Sequence, residues 1–488
     1  MAAAVLPARG RARPAPRHRP RGALPRGEVR RRLPALPAPR PPLAVTPAAA
    51  AAIRRPVVPY APVDDSRPFA DITVVEFGQF IAVPWCAQTL AEGGARVIKI
   101  EPLEGDPVRA LAPLGRGETR HFISRNRGKR TLPLDLRHPR AAAVIARLLE
   151  RADVVLTNFR PGLAAELGLD GPTLTARHPR LVVGNVSAFG ARGPDAALAG
   201  MDLVVQARSG IMAAYHGARD GLPGSGDAPP VADYMCAMML CFGIASALLR
   251  RERTGRGGEV DVTLLMAALV LQNNAFVRVE SVDGPVHADV RRRLAEARAA
   301  GRPFAEQAAL QPHHRTPAMI HAYYRVYATK DSALAVACIR PSLQRALMDA
   351  VGLKDEAHER PIADRAAQER HYEALGARIE AVMATRTTAE WRALLDARGV
   401  PAAGVRFPME LLDDEQALAN GMLHDLEHPV VGPVRVLATP VRLGGNGFVS
   451  APPTAPFGSE TRAILGELGF SAADVDSLIA DRVTTETL

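Results

Sequence analysis

From Ala70 onward the chain alternates short runs of β-branched and apolar residues with longer stretches of helical period. Ile72-Thr73-Val74-Val75-Glu76-Phe77 reads as a buried strand, 81–92 as a helix ended by Gly93-Gly94, and Arg96-Val97-Ile98-Lys99-Ile100 as the next strand. Leu132 to Leu136, a helix over 138–150, and Asp153-Val154-Val155-Leu156-Thr157 predict a second β-α-β unit, and Leu181 to Val186 a further strand. None of these strands alternates cleanly between polar and apolar. That is the pattern of a parallel sheet covered on both faces, so the first half predicts a doubly wound α/β domain.

The longest apolar run, Tyr234 to Leu249, closes on Arg250-Arg251-Glu252-Arg253. At sixteen residues it falls short of the roughly 20 that span a bilayer, and predicts a buried core helix rather than a transmembrane segment. Val260-Asp261-Val262-Thr263 is a further strand and 264–275 a helix. Over 280–318 the chain turns polar and Arg-rich, with His313-His314, and reads as a linker over the surface. A second unit begins near His321, with a strand from Leu334 to Ile339 and a capping box at Thr387-Thr388-Ala389-Glu390. Short strands at Val434 to Leu437 and Val441-Arg442-Leu443 follow, then a last helix near 459–468. No internal repeat is present.

Composition is that of a globular protein: 488 residues, 47% hydrophobic, 23% charged, 5% aromatic. The net charge of +10 invites a polyanionic partner, but its distribution removes that reading. Residues 1–60 hold thirteen Arg, thirteen Pro, no Lys and one acid, leaving 48 basic against 50 acidic residues in the rest. This leader has no apolar period and too much Pro for a transit helix, and it lacks the apolar core of a secretory signal. It is expected to be an unfolded extension, or sequence upstream of the true start, ahead of any nucleic-acid function. The four cysteines show no metal or redox spacing, which points to a reducing, cytoplasmic setting.

P-loop, zincin, nucleophile-elbow and CxxC motifs are absent. The glycine-rich loop at 221–226 follows no clear strand and carries Pro223, so it reads as a connection. Three features remain. Asp233 opens the most apolar helix, where it is either an N-cap or a poorly hydrated, reactive carboxylate; both roles can coexist. Ser124-Arg125-Asn126-Arg127-Gly128-Lys129-Arg130 puts four cations in six positions, either a solvated loop or a seat for a phosphorylated ligand. Asn158-Phe159-Arg160-Pro161-Gly162 lies at the carboxyl end of a predicted strand, where open α/β sheets bind ligands.

Taken in order, Val74-Val75-Glu76-Phe77-Gly78, Gly94 to Glu101, Asn126 to Arg130, Asn158 to Gly162, His178 to Val182, Gly200-Met201-Asp202-Leu203, Asp233 and Arg253 to Gly257 resemble the family III CoA-transferases. These include formyl-CoA, carnitine and bile-acid CoA-transferases and are related to alpha-methylacyl-CoA racemase. The resemblance covers about 68–480. It implies a Rossmann-like large domain with a parallel sheet, built from 68–270 and 406–488 with a linker over 271–319. A smaller α/β domain over 320–405, a disordered basic extension over 1–67 and an interlocked homodimer complete the expectation.

By the same resemblance Asp233 is the catalytic nucleophile. CoA contacts fall on Ile81, Ala82, Arg125, Asn126, Lys129, Arg130, Asn158, Phe159, Met201 and Asp202. Acyl-CoA and a carboxylic acid are the partners, CoA being a substrate and not a resident cofactor, with no metal, nucleic acid or membrane. Two departures bear on the branch. The racemases carry a His where this chain has Met201, which cannot move a proton, and racemisation needs two proton-transfer groups. The family's Arg after Ile-Glu is Pro102, so one expected CoA contact is missing, and the glycine-rich lid of the formyl-CoA branch has no counterpart, which speaks against an oxalate–formate pair. The competing readings are a CoA-thioester isomerase, racemase or lyase of the same fold, and a non-catalytic CoA-binding protein.

Overall fold

The computed structural model describes residues 67–487, apart from 216–217, 220, 225–228, 312–316 and 445–446. The basic extension through residue 66, the end of the glycine-rich loop and His313-His314 lie outside the described residues. Arg67 already donates to the carbonyls of Ala91 and Glu92.

Six parallel strands form the main sheet: β1 (Thr73–Glu76), β2 (Arg96–Glu101), β3 (Lys129–Pro133), β4 (Val154–Thr157), β5 (Val182–Ser187) and β6 (Gly258–Thr263). Their spatial order is β3-β2-β1-β4-β5-β6. The chain therefore winds outward from β1 in one direction and from β4 in the other. The crevice at the carboxyl ends of β1 and β4 is the topological switch point, where doubly wound sheets receive ligands.

Both faces are covered, as strands without clean alternation predict. Val74, Val97, Leu156 and Val182 pack on one face with helices α1 (Ala82–Glu92), α5 (Val231–Thr254) and α6 (Leu264–Val270). Between α1 and α5 the chain forms α2 (Arg120–Asn126), α3 (Ala141–Leu149) and α4 (Asp202–Ser209). Val75, Ile98, Leu132 and Val155 face the other way, onto α3 and residues of the chain's end, Ile464, Leu465 and Val475. Helices antiparallel to the strands start at the carboxyl edge of the sheet, so the N-termini of α1 and α5 come to that edge together.

Helix α5 corrects two expectations. It runs 24 residues, long and apolar enough by length and composition to cross a membrane. Here it lies on the sheet: Gly243 lets it approach β6 so closely that a Cβ would sit 2.4 Å from Val260 Cγ1. It is also buried along one stripe only, through Cys236, Leu240 and Ile244, while Phe242 on the far side is 77% exposed.

The region expected to be a linker is mostly helix. Residues Glu280–Ala299 form α7, whose start is fixed by Asp283 accepting the Val279 N–H at 2.7 Å. Its surface carries the pairs Arg292–Asp289 and Arg292–Glu296. Local ion pairs hold such a helix without an apolar stripe, and hydrophobic periodicity cannot reveal it.

A third core, around Tyr323, Leu334, Leu347, Ile379 and Trp391, lies between an antiparallel sheet and the helices that follow. The sheet comprises β7 (Tyr324–Ala328), β8 (Ala333–Ala337) and β9 (Ala402–Gly404), with β8 central. The capping box at Thr387 and Glu390 forms as predicted. Beyond it, β10 (Leu423–His428) pairs with β11 (Gly432–Leu437). Val441 to Leu443 makes no strand, and a helix at Ala472–Ala480, opened by a Ser471–Asp474 capping box, was not anticipated.

Candidate active site

The loop between β1 and α1 is held from beneath and from the side. Lys99 Nζ donates to the Gly78 carbonyl at 2.6 Å and pairs with Glu76 at 3.1 Å and Asp106 at 2.9 Å, all fully buried. From β4, the Asn158 amide grips the Gln79 backbone twice, accepting its N–H at 3.1 Å and donating to its carbonyl at 2.9 Å. Phe159 packs its ring on Phe77, centroids 6.0 Å apart. Between these grips Phe80 adopts φ +67°, a conformation that costs a bulky residue energy and persists only where its surroundings impose it. Ile81 then starts α1 with no side-chain cap, so that among the described residues the first N–H groups have no side-chain acceptor. Two loops at the switch point are thus locked into one edge.

The cation cluster is not a solvated loop. It is the end of α2 and the start of β3, and three of its four charges are met internally. Arg127 pairs with Glu92 at 3.0 Å. Lys129 reaches Glu76 at 2.8 Å, the Pro84 carbonyl at 2.7 Å and Asn126 Oδ1 at 2.8 Å. Burial pulls its amine down to about 8, against the attraction of Glu76. Arg130, on the opposite face of β3, holds Glu460 at 2.8 Å and Glu467 at 2.7 Å. Lys129 and Arg130 therefore tie the fold together, and Arg130 is not brought to the edge where Asp233 lies.

Arg125 is the exception. Its Nε donates to the Tyr234 hydroxyl at 3.3 Å, and the Tyr234 ring meets Trp85 of α1 edge-on at 5.9 Å. This contact joins the first turns of α1 and α5.

Asp233 stands in the first turn of α5, but not as its cap. Pro230 occupies the N-cap position, and the capping oxygen comes from another element. Asp202 Oδ1, at the start of α4, accepts the N–H groups of Ala232 at 2.8 Å and Asp233 at 3.1 Å. Gln206 also donates to Asp202. Gly200 is needed just before, because a Cβ there would lie 2.3 Å from that of Ala188. Met201 is 49% exposed at the rim.

The cap being supplied by Asp202, the Asp233 carboxylate accepts no hydrogen bond among the described residues. Burial and then the negative charge of Asp202 push it up to about 7, with Arg125 pulling the other way. Burial and Asp233 likewise push the Cys236 thiol up to about 12. Sequence reasoning missed Tyr234, Trp85 and the capping role of Asp202; the spacing of 31 residues between Asp202 and Asp233 gives no local signal.

A doubly wound parallel sheet with a half-buried carboxylate, unpartnered among the described residues, near its ligand-receiving edge has the architecture of an α/β enzyme. The chain belongs to CoA-transferase family III, whose model matches residues 69–461. It is 26% identical over 430 residues to cinnamoyl-CoA:phenyllactate CoA-transferase of Clostridium sporogenes, covering 86% of this chain and 98% of that one. It is 29% identical over 405 residues to acetyl-CoA:oxalate CoA-transferase of Acetobacter aceti, covering 83% and 96%. Among solved structures, Rv3272 from M. tuberculosis superposes with a TM-score of 0.66 at 26% identity, covering 82% of this chain and 99% of that chain. The protein is accordingly an enzyme of the CoA-transferase class, acting on CoA thioesters.

Proposed function

We propose that the protein moves CoA from an acyl-CoA donor to a carboxylic acid through an aspartyl-CoA thioester on Asp233. The observation that carries this is the Asp233 carboxylate, which accepts no hydrogen bond among the described residues because Asp202 caps its helix. A carboxylate oxygen attacks the thioester carbonyl, the C–S bond breaks, and CoA thiolate leaves a mixed anhydride. The thiolate then attacks the Asp233 carbonyl carbon and expels the donor acid as its carboxylate. Acceptor carboxylate attacks the aspartyl thioester and displaces the thiolate, which takes the acceptor's acyl group from the new anhydride and restores Asp233. Each step exchanges one carboxylate for one thiolate, so no proton is moved.

The locked edge formed by Gln79, Ile81, Ala82, Asn158 and Phe159, with Met201 and Asp202 at its rim, offers backbone N–H groups and apolar surface for CoA. The exposed apolar stripe of α5 around Phe242, together with Phe276 and Val277, supports a homodimer. Four free thiols support a reducing, cytoplasmic setting. A racemase would need a proton-transfer group where Met201 stands.

Incubation with acyl-CoA, followed by hydroxylamine or borohydride and mass spectrometry, is expected to mark Asp233. Active protein with no adduct at Asp233 would sink the mechanism.

A further inference from the structure

Five arginines are buried among the described residues: Arg109, Arg125, Arg127, Arg130 and Arg251. Four meet a carboxylate: Arg109 at Glu101 and Glu118, Arg127 at Glu92, Arg130 at Glu460 and Glu467, and Arg251 at Asp153. Arg125, 7% exposed, has no carboxylate within ion-pair distance among the described residues. Its Nε is taken by Tyr234, the residue that follows Asp233, and its two Nη groups donate to nothing among the described residues, which leaves them as a fork of donors. A buried guanidinium without its anion is costly, and the geometry suits bidentate capture of a carboxylate or phosphate.

We propose that Arg125 receives a second, non-reacting carboxylate of the transferred acid, so that the enzyme works on dicarboxylic acids in preference to monocarboxylic acids of equal length. The inference rests on the transferase reading above. Position chooses between the two anions. Whatever reacts at Asp233 must place its thioester carbonyl there, and CoA's phosphates are separated from that sulfur by the whole pantetheine arm. A phosphate therefore cannot reach Arg125 while the thioester is at Asp233. Nor does Arg125 suit the reacting carboxylate, because a bidentate ion pair would occupy both oxygens and blunt the attack. A second carboxylate a few bonds away meets both conditions, and it also needs a countercharge beside Asp202 and Asp233.

The test compares paired donors of equal carbon number on the wild-type enzyme: malonyl- with propionyl-CoA, succinyl- with butyryl-CoA, glutaryl- with valeryl-CoA. In the best-fitting pair kcat/KM is expected to favour the dicarboxylic donor by about a hundredfold, the worth of one charge-assisted pair. Arg125→Gln should collapse that ratio, and Arg125→Lys should restore part of it. A wild-type ratio near one in every pair, or a preference that survives Arg125→Gln, overturns the proposal. So does a variant whose pH profile shifts while the ratio holds, since that is what a mere countercharge would do. Should the glutamine variant fail to fold, the wild-type ratio and the lysine variant decide. Calorimetry with free succinate and butyrate separates the two readings: succinate binding that is lost in Arg125→Gln, with no CoA transfer and no adduct at Asp233, would uphold the carboxylate site and dismiss the transferase mechanism.

Discussion

Asp202 caps the helix that carries Asp233, its Oδ1 accepting the Asp233 N–H at 3.1 Å and that of Ala232 at 2.8 Å. The relationship does two opposite things. It satisfies the helix start without using the Asp233 side chain, and it sets a second negative charge beside that side chain.

The first consequence is a pH profile. With burial and Asp202 pushing Asp233 up to about 7, the carboxyl is mostly protonated, and not nucleophilic, below that pH. The kcat/KM for CoA transfer should rise about tenfold per unit on the acid side and level off above about pH 7. A flat profile between pH 5 and 8 would show Asp233 ionised throughout.

Stability should run the other way. The folded-state value lies above the unfolded one, so the stabilisation by the protonated carboxyl is complete below about pH 4 and is lost as pH rises through 7. At pH 8 Asp233→Asn should therefore be more stable than wild type, by on the order of 2–4 kcal/mol, while losing transferase activity. Denaturant titrations at pH 5 and pH 8 check this: the gain must grow with pH.

Asp202 variants separate its charge from its cap. Asn caps a helix about as well as Asp, so Asp202→Asn should keep stability and move the acid limb of the profile to lower pH. Asp202→Ala should lose the cap as well, costing about 1 kcal/mol. Superimposable profiles for wild type and Asp202→Asn would mean that the two carboxylates do not feel each other.

Lys129 is spent on contacts within the fold. Replacing it by Met strips a charge partner from buried Glu76 and a donor from Asn126 and Pro84. Because Glu76 keeps Lys99, the expected loss is about 1–3 kcal/mol in urea unfolding. A fully stable Lys129→Met protein with much weakened CoA binding would return this residue to the ligand site.

A protein lacking residues 1–66 should keep its CoA-transferase activity, because the family match begins at residue 69. Any affinity for nucleic acid, measured on the full chain, should vanish with the deletion.

Most strands of the main sheet are legible from sequence because strands covered on both faces are rich in apolar residues, but β3 is expected at Leu132 to Leu136 and lies at Lys129–Pro133, since its first residues are charges paired within the fold. Helix α7 is not legible, since ion pairs on its own surface hold it and leave no stripe. Asp233 could be singled out as a carboxylate opening the most apolar helix, but its rank as cap or nucleophile could not, because the competing cap lies 31 residues away on α4. The same holds for the four cations at 125–130. They are equivalent in a string of letters, and only packing shows that Glu92, Glu76 and Glu460 neutralise three of them while Arg125 meets no carboxylate among the described residues. Local pattern fixes which segments are strand or helix, because burial and backbone pairing act along the chain. Which charge is spent within the fold and which remains for a ligand is decided by partners distant in sequence, and so by the tertiary structure alone.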